Sequence, residues 1–128
     1  MPGAGDKALF LRLPGAKAEE IAELFPPPAH FITYIDGAAV PDKAALMEAL
    51  AAAFSFPAYF GKNWDALLDC LRSLPDGIPA KGYVLAVKNS ESFLSAAPAD
   101  LEAFTEIAAE AKKFLAEKAG AGFRIVFL

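Results

Sequence analysis

The sequence is poor in the residues that many enzymes use for catalysis, because it contains one histidine, His30, and one cysteine, Cys70. Hydrolases of the Ser-His-Asp or Cys-His type need a histidine beside the nucleophile, whereas His30 adjoins the triple proline at 26–28. A zinc site needs a cluster of cysteine and histidine ligands, which one residue of each type does not supply. We therefore expect no catalytic triad and no metal, and we interpret His30 as a linker or surface residue.

The sequence also lacks the glycine-rich motifs that bind phosphates, G-x-x-x-x-G-K and G-x-G-x-x-G, so we expect no cofactor. No apolar run approaches the roughly 18 residues of a membrane span, and the first residues do not resemble a signal peptide. The single Cys70 forms no internal disulfide, which favours a reducing compartment. We therefore expect a cytoplasmic protein that does not bind membranes.

Positive charge is sparse and scattered. Twelve lysines and arginines stand against sixteen acidic residues, for a net charge of −4, and Lys112-Lys113 is the only adjacent basic pair. Neutralising the phosphates of a nucleic acid requires clustered basic residues, so we expect no direct nucleic-acid binding. A mildly acidic chain is better suited to a basic protein partner.

The hydrophobic content of 55% over 128 residues is sufficient for one core. Three segments rich in β-branched, aromatic or other apolar residues are predicted to be strands, at 31–35, 83–87 and 123–128. Segments with helical spacing separate them, an order that favours parallel pairing. We predict an α/β fold in which a small three-stranded parallel sheet packs with helices.

Residues 1–30 are interpreted as an N-terminal extension of this fold. Residues 8–13 have the composition of a strand and residues 16–24 have helical spacing. The prolines at 26–28 end any helix and form a stiff connector. We therefore divide the chain into an extension over 1–30 and a main domain over 31–128, and we expect the free protein to be a monomer.

The run from Pro57 to Leu71 predicts a helix with one apolar and one charged face. Asn63 is a good N-cap, and Asp65 in the first turn is favoured by the helix dipole. Asp69 lies one turn further on, where it repels Asp65 by roughly 0.2–0.5 kcal/mol. Helix stability therefore explains Asp65 but not Asp69. The apolar face comprises Trp64, Leu67, Leu68, Leu71 and Leu74.

The aspartate pair has more than one interpretation at this point. It is either a solvated surface partly neutralised by Arg72, since surface charges of this kind are common, or an acidic patch for a cationic partner. Two carboxylates one turn apart accept charge-assisted hydrogen bonds from arginine or lysine and imitate successive phosphates of RNA. Catalysis by Asp65 and Asp69 is the least favoured, because the sequence offers neither further histidines nor a glycine-rich loop to form an active site with them.

The string Tyr59-Phe-Gly-Lys-Asn-Trp-Asp-Ala-Leu67, followed by Asp69-Cys-Leu71, resembles the signature of the barstar family of bacterial ribonuclease inhibitors. The order of elements from Phe31 to Leu128 is also similar to that family. The resemblance implies a barstar-like fold, no enzymatic activity and an intracellular role. It also implies that the acidic helix and the loop before it bind a basic ribonuclease. The matching positions are Tyr59, Gly61, Asn63, Asp65 and Asp69, with Asp69 as the central anchor.

Some positions depart from the family pattern. Leu68 and Leu74 stand where the best-known inhibitor has tryptophan, so two large aromatic contacts are missing. A late acidic residue of that inhibitor has three candidates here, Glu106, Glu110 and Glu117. We therefore expect that the class of partner is inherited but its identity is not.

Three other functions remain as alternatives. One is an immunity or regulatory module for a toxin that is not a ribonuclease, or for another basic partner. Another, which is less favoured, is an enzyme that uses Asp65 and Asp69. In the third, the fold is kept while the inhibitory surface has changed to another use, and residues 1–30 supply a new contact.

Overall fold

The computed structural model describes residues 9–128 and contains one four-stranded parallel sheet with the strand order β1-β4-β3-β2. The strands are β1 (Phe10–Arg12), β2 (His30–Asp36), β3 (Gly82–Lys88) and β4 (Gly122–Phe127). The helices are α1 (Ala18–Leu24), α2 (Lys43–Ala53), α3 (Trp64–Arg72), α4 (Leu74–Gly77) and α5 (Pro98–Ala119). The α/β class and the parallel pairing predicted from the sequence are confirmed.

β3 lies in the interior of the sheet and is buried on both faces, as its nearly continuous apolar sequence predicts. Its residues Tyr83, Leu85 and Val87 belong to the larger core cluster, whereas Val84 and Ala86 belong to a smaller cluster. Because successive side chains of a strand point to opposite faces, these two sets mark the two sides of the sheet.

The sheet has four strands, so the prediction of three was wrong. β1 comes from the N-terminal segment and pairs in parallel with β4, with Phe10 opposite Ile125 and Arg12 opposite Phe127. The strand composition of residues 8–13 was visible in the sequence, although Ala8 lies outside the described residues. The pairing of this strand with β4 was not visible in the sequence, because β1 and β4 are separated by almost the whole chain.

The N-terminal segment also covers the second face of the sheet. Ile21 of α1 is fully buried against Val84, Ala86 and Val126. The larger cluster on the other face includes Leu46 of α2, Leu67 of α3 and Phe104 of α5, among other residues. α1 and α3 therefore pack against opposite faces of the sheet.

His30 is not a linker residue, contrary to the interpretation made from its proline-rich surroundings. It is the first residue of β2 and is partly buried. A Cβ atom on Gly82 would come within 2.7 Å of His30 Cδ2, so the imidazole lies over this glycine on the neighbouring strand. The ring therefore has a packing role at the start of the β2–β3 pair.

Helix packing and a hydrogen bond join α5 to α3 and α2, the helices around the candidate site. α5 packs along α3, and the Asp100 carboxylate in the first turn of α5 accepts a hydrogen bond from the Lys43 N–H at 3.0 Å. This bond fixes the start of α5 against the start of α2. Across residues 9–128, no helix is both long enough and apolar enough to cross a membrane.

Candidate protein-binding surface

α3 begins at the cap that the sequence predicts. Asn63 has an extended backbone (φ −133°, ψ 172°), and its Oδ1 atom accepts a hydrogen bond from the Ala66 N–H at 2.8 Å. This bond satisfies one of the amide groups that every helix leaves unpaired in its first turn. Asn63 is therefore a structural residue of this surface, whatever contact it makes with a partner.

Asp65 and Asp69 are both exposed, one turn apart on the outer side of α3. Within residues 9–128, the recorded ion pairs are Lys62–Glu48 and Arg72–Glu110, and neither includes these aspartates. The opposite side of the helix is in the core, where Leu67 and Leu71 are buried. The helix therefore holds two carboxylates in water while its apolar side is fixed against the protein.

Arg72 does not neutralise the aspartates, contrary to the first of the two interpretations above. Its Nη2 atom lies 3.6 Å from Glu110 Oε2 on α5, and its guanidinium lies over the Phe114 ring at 5.2 Å from the centroid. The charge of Arg72 is thus directed towards α5. The negative charge of Asp65 and Asp69 is left without a cation from their own helix.

The ion pair with Arg72 also distinguishes one of the three late acidic candidates from the other two. Glu106, Glu110 and Glu117 are all exposed on α5, but Glu110 is the one for which the structure gives an ion pair to α3. Glu110 therefore lies at the border of the α3 surface. Its carboxylate is paired with Arg72 there.

The loop before α3 presents Tyr59, which is 87% exposed. The loop is attached to the fold at both ends of the segment 60–62. Phe60 is buried in the core, and Lys62 Nζ lies 2.6 Å from Glu48 Oε1 on α2. An exposed aromatic ring on an anchored loop offers contact area at a low entropic cost.

Gly61 has a different role from the one that glycine most often has in a loop. The residue with a left-handed backbone is Lys62, at φ 54°, rather than Gly61. A Cβ atom on Gly61 would lie 3.3 Å from Asn63 Nδ2 and 3.4 Å from Ala66 Cβ. Gly61 therefore lies where the loop passes close to the start of α3. Neither the strained backbone of Lys62 nor its ion pair with Glu48 was predictable from the sequence.

A groove of about 450 Å³ runs between this loop and the end of α3. Tyr59 and Asp69 both line it, whereas Gly61, Asn63 and Asp65 do not. A second carboxylate, that of Asp76 in α4, also lines the groove. The other lining residues are Phe54, Ser55, Phe56, Pro57, Cys70, Ser73, Leu74, Gly77 and Ile78.

A comparison with protein-family models matches residues 30–127 to the family described as Barstar (barnase inhibitor). The chain belongs to the Barstar family. The match covers β2 to β4 and does not include β1 and α1. A search of curated proteins found no match to this chain.

Two positions show how this member of the Barstar family departs from the pattern noted above. Leu74 is buried in the core, and Leu68 is only partly exposed. Neither residue presents a large exposed surface in the place of an aromatic contact. The acidic residues of the α3 surface are thus kept, and its aromatic area depends mainly on Tyr59.

Cys70 offers no nucleophile at this surface. Burial raises the pKa of the Cys70 thiol above its ordinary value, and the charge of the neighbouring Asp69 raises it further. The thiol is therefore protonated at neutral pH, and a protonated thiol is a poor nucleophile. Among residues 9–128, no group of three or more His, Cys, Asp or Glu side chains is arranged to hold a metal ion.

Proposed function

We propose that this protein inhibits a basic ribonuclease by inserting the outer side of α3 and the Tyr59 loop into the active site of the enzyme. The observation that carries the proposal is the exposed Asp69 carboxylate, which lies beside Tyr59 in one groove and is paired with no cation in residues 9–128. Membership of a family of ribonuclease inhibitors supports it.

The mechanism is occupancy of the active site and needs no chemical step. A ribonuclease that cleaves an anionic polymer carries arginine, lysine or histidine in its cleft. The carboxylates of Asp69 and Asp65 accept charge-assisted hydrogen bonds from those groups. Each such bond replaces a contact that the enzyme would make to a phosphate of RNA, so bound inhibitor excludes substrate.

Contacts within the protein already hold this surface rigid before a partner binds. The Leu67 and Leu71 side chains fix the back of α3, the Asn63 cap fixes its start, and the Lys62–Glu48 pair attaches the loop. Rigid presentation reduces the conformational entropy that is lost when the partner binds. Repulsion between the two unpaired aspartates is relieved when a cation is placed between them.

The test uses a panel of small basic bacterial ribonucleases and measures RNA cleavage and binding with the intact chain. We expect one-to-one binding that abolishes cleavage, and association that slows as salt is added, because ions screen exposed charges. Asp69→Ala removes the central carboxylate and should restore cleavage at inhibitor concentrations that are otherwise sufficient. Glu23→Ala is the matched control, since it removes one exposed carboxylate from α1 on the opposite side of the sheet.

Three results would reject this mechanism. They are tight binding that does not change with Asp69→Ala, binding that does not depend on salt, and binding that leaves RNA cleavage unaffected. Affinity capture from native lysate addresses the alternative class of partner. A captured basic toxin without ribonuclease activity, released by Asp69→Ala, would show an immunity module for a different target.

A further inference from the structure

β2 is an edge strand whose outer side pairs with no strand of residues 9–128. It pairs with β3 on one side, and the sheet described by residues 9–128 ends there. The seven residues of β2 follow one unbroken register from His30 opposite Gly82 to Asp36 opposite Lys88, so the strand contains no bulge. It also contains no proline and no lysine. These are the devices with which proteins ordinarily prevent an edge strand from pairing with another chain.

The opposite edge of the sheet is protected by comparison. β1 has only three residues, and one of them is Arg12, whose guanidinium lies over the Phe127 ring. Pro14 follows two residues later. A short strand with a charged residue and a nearby proline is a poor template for pairing. Of the two edges of the sheet in residues 9–128, the β2 edge is therefore the better template for pairing with another chain.

A surface groove of about 670 Å³ lies along the open side of β2, between the strand and α2. α2 contributes the small side chains of Ala45, Ala49, Ala52 and Ala53 to it, together with Glu48. β2 contributes Thr33, Tyr34 and Ile35, together with Asp36 at its end. The alanines leave room for side chains from an added strand. Neither Asp65 nor Asp69 lines this groove, so it is distinct from the α3 surface.

We propose that the open edge of β2 pairs with β2 of a second copy of this chain, antiparallel about a two-fold axis at Thr33. The sequence of β2 is complementary to itself in this register. Phe31 meets Ile35 and Ile32 meets Tyr34 of the other copy, and such pairs of aromatic and β-branched residues stabilise antiparallel strands. The interface uses the same surface on both copies, as two-fold symmetry requires.

Charge at the ends of β2 favours the antiparallel arrangement over a parallel one. Asp36 accepts hydrogen bonds from the Ala38 N–H at 2.9 Å and from Asn89 Nδ2 at 2.8 Å, and both bonds use Oδ1. A parallel arrangement would place two Asp36 carboxylates side by side. The antiparallel register instead places Asp36 beside His30 of the other copy. With this pairing the free protein forms a dimer, in place of the monomer expected from the sequence.

The first experiment measures the mass of the full chain by sedimentation over a concentration series from about 1 µM to about 1 mM. We expect a reversible monomer–dimer equilibrium. Ala52→Lys places a long cation in the groove beside β2 and should raise the dimer dissociation constant by about tenfold or more. Ala44→Lys is the matched control, because Ala44 is also an exposed residue of α2 but does not line the groove. Its dissociation constant should equal that of the unmodified chain.

The second experiment locates the interface. Amide hydrogen exchange within residues 30–36 should slow as the dimer forms, and the Ala52→Lys variant should lose this protection. A chain that stays monomeric over the whole concentration range would overturn the proposal. So would a dimer that Ala52→Lys does not weaken, or one that leaves exchange in β2 unchanged. Binding of an extended peptide to β2 in a chain that remains monomeric would assign the edge to a different occupant and would also overturn it.

Discussion

The two faces of α3 differ in burial and in charge, although they share one backbone. Leu67 and Leu71 are 0% and 1% exposed, whereas Asp65 and Asp69 face water and have no recorded ion pair in residues 9–128. A helix of nine residues therefore carries both a part of the core and the proposed binding surface. Stability and the proposed partner recognition thus depend on different side chains, so each should change without the other.

The largest expected effect tests the outer face. Asp69→Ala should lower the affinity for the ribonuclease by about 3–5 kcal/mol, because it leaves a cation of the enzyme buried and unpaired in the complex. Asp65→Ala should cost less affinity, since Asp65 does not line the groove that holds Asp69 and Tyr59. Titration calorimetry measures both values. If the two variants lose the same affinity, then a position in the groove does not determine how much each carboxylate contributes to binding.

The next effect tests the inner face. Leu67→Ala should lower the free energy of unfolding by about 2–5 kcal/mol, because it removes a fully buried side chain and leaves a cavity. Urea denaturation measures this loss, and Leu68→Ala is the control with a smaller expected loss, since Leu68 is only partly buried. The folded fraction of the Leu67 variant should bind the partner with unchanged affinity. A large loss of affinity in that fraction would show that the inner face of α3 contributes to binding as well as to stability.

These two faces were predictable from the sequence because both depend on local spacing. The period of about 3.6 residues placed Leu67 and Leu71 inside and Asp65 and Asp69 outside, and the structure agrees. The predicted Asn63 cap also depends on residues within one turn and is present. Local physical chemistry thus positioned α3 and its charges.

What the sequence did not reveal depends on contacts between distant segments. The pairing of β1 with β4 joins residues more than a hundred positions apart, and no local pattern encodes that partner. Arg72 was close enough to the aspartates to suggest neutralisation, but α5 supplies Glu110 and Phe114 as better partners. The groove beside Asp69 and the open edge of β2 likewise exist only once the helices and strands are assembled.

A smaller effect tests the start of α3, where the two roles meet. Asn63→Ala should lower the free energy of unfolding by about 1 kcal/mol, because the Ala66 N–H loses its acceptor. Asn63→Ser retains a capping oxygen and should recover most of that loss. Measuring affinity for both variants separates the roles. If Asn63→Ser restores stability but not affinity, then Asn63 contacts the partner in addition to capping the helix.

The smallest effect tests whether Asp69 has any structural role. Asp69→Asn keeps the size of the side chain and removes its charge, and with it the repulsion from Asp65. Arg72 is paired with Glu110, so this change leaves no cation without its partner. The free energy of unfolding should therefore stay unchanged or rise by no more than about 0.5 kcal/mol.

Glu48→Gln is the contrasting variant, since it removes a charge that is paired with Lys62 and should lower stability by about 0.2–1 kcal/mol. No loss of stability in Asp69→Asn, beside a loss in Glu48→Gln, would show that Asp69 has no structural role in the unbound protein. A loss above about 2 kcal/mol in Asp69→Asn would instead show that the carboxylate belongs to the fold.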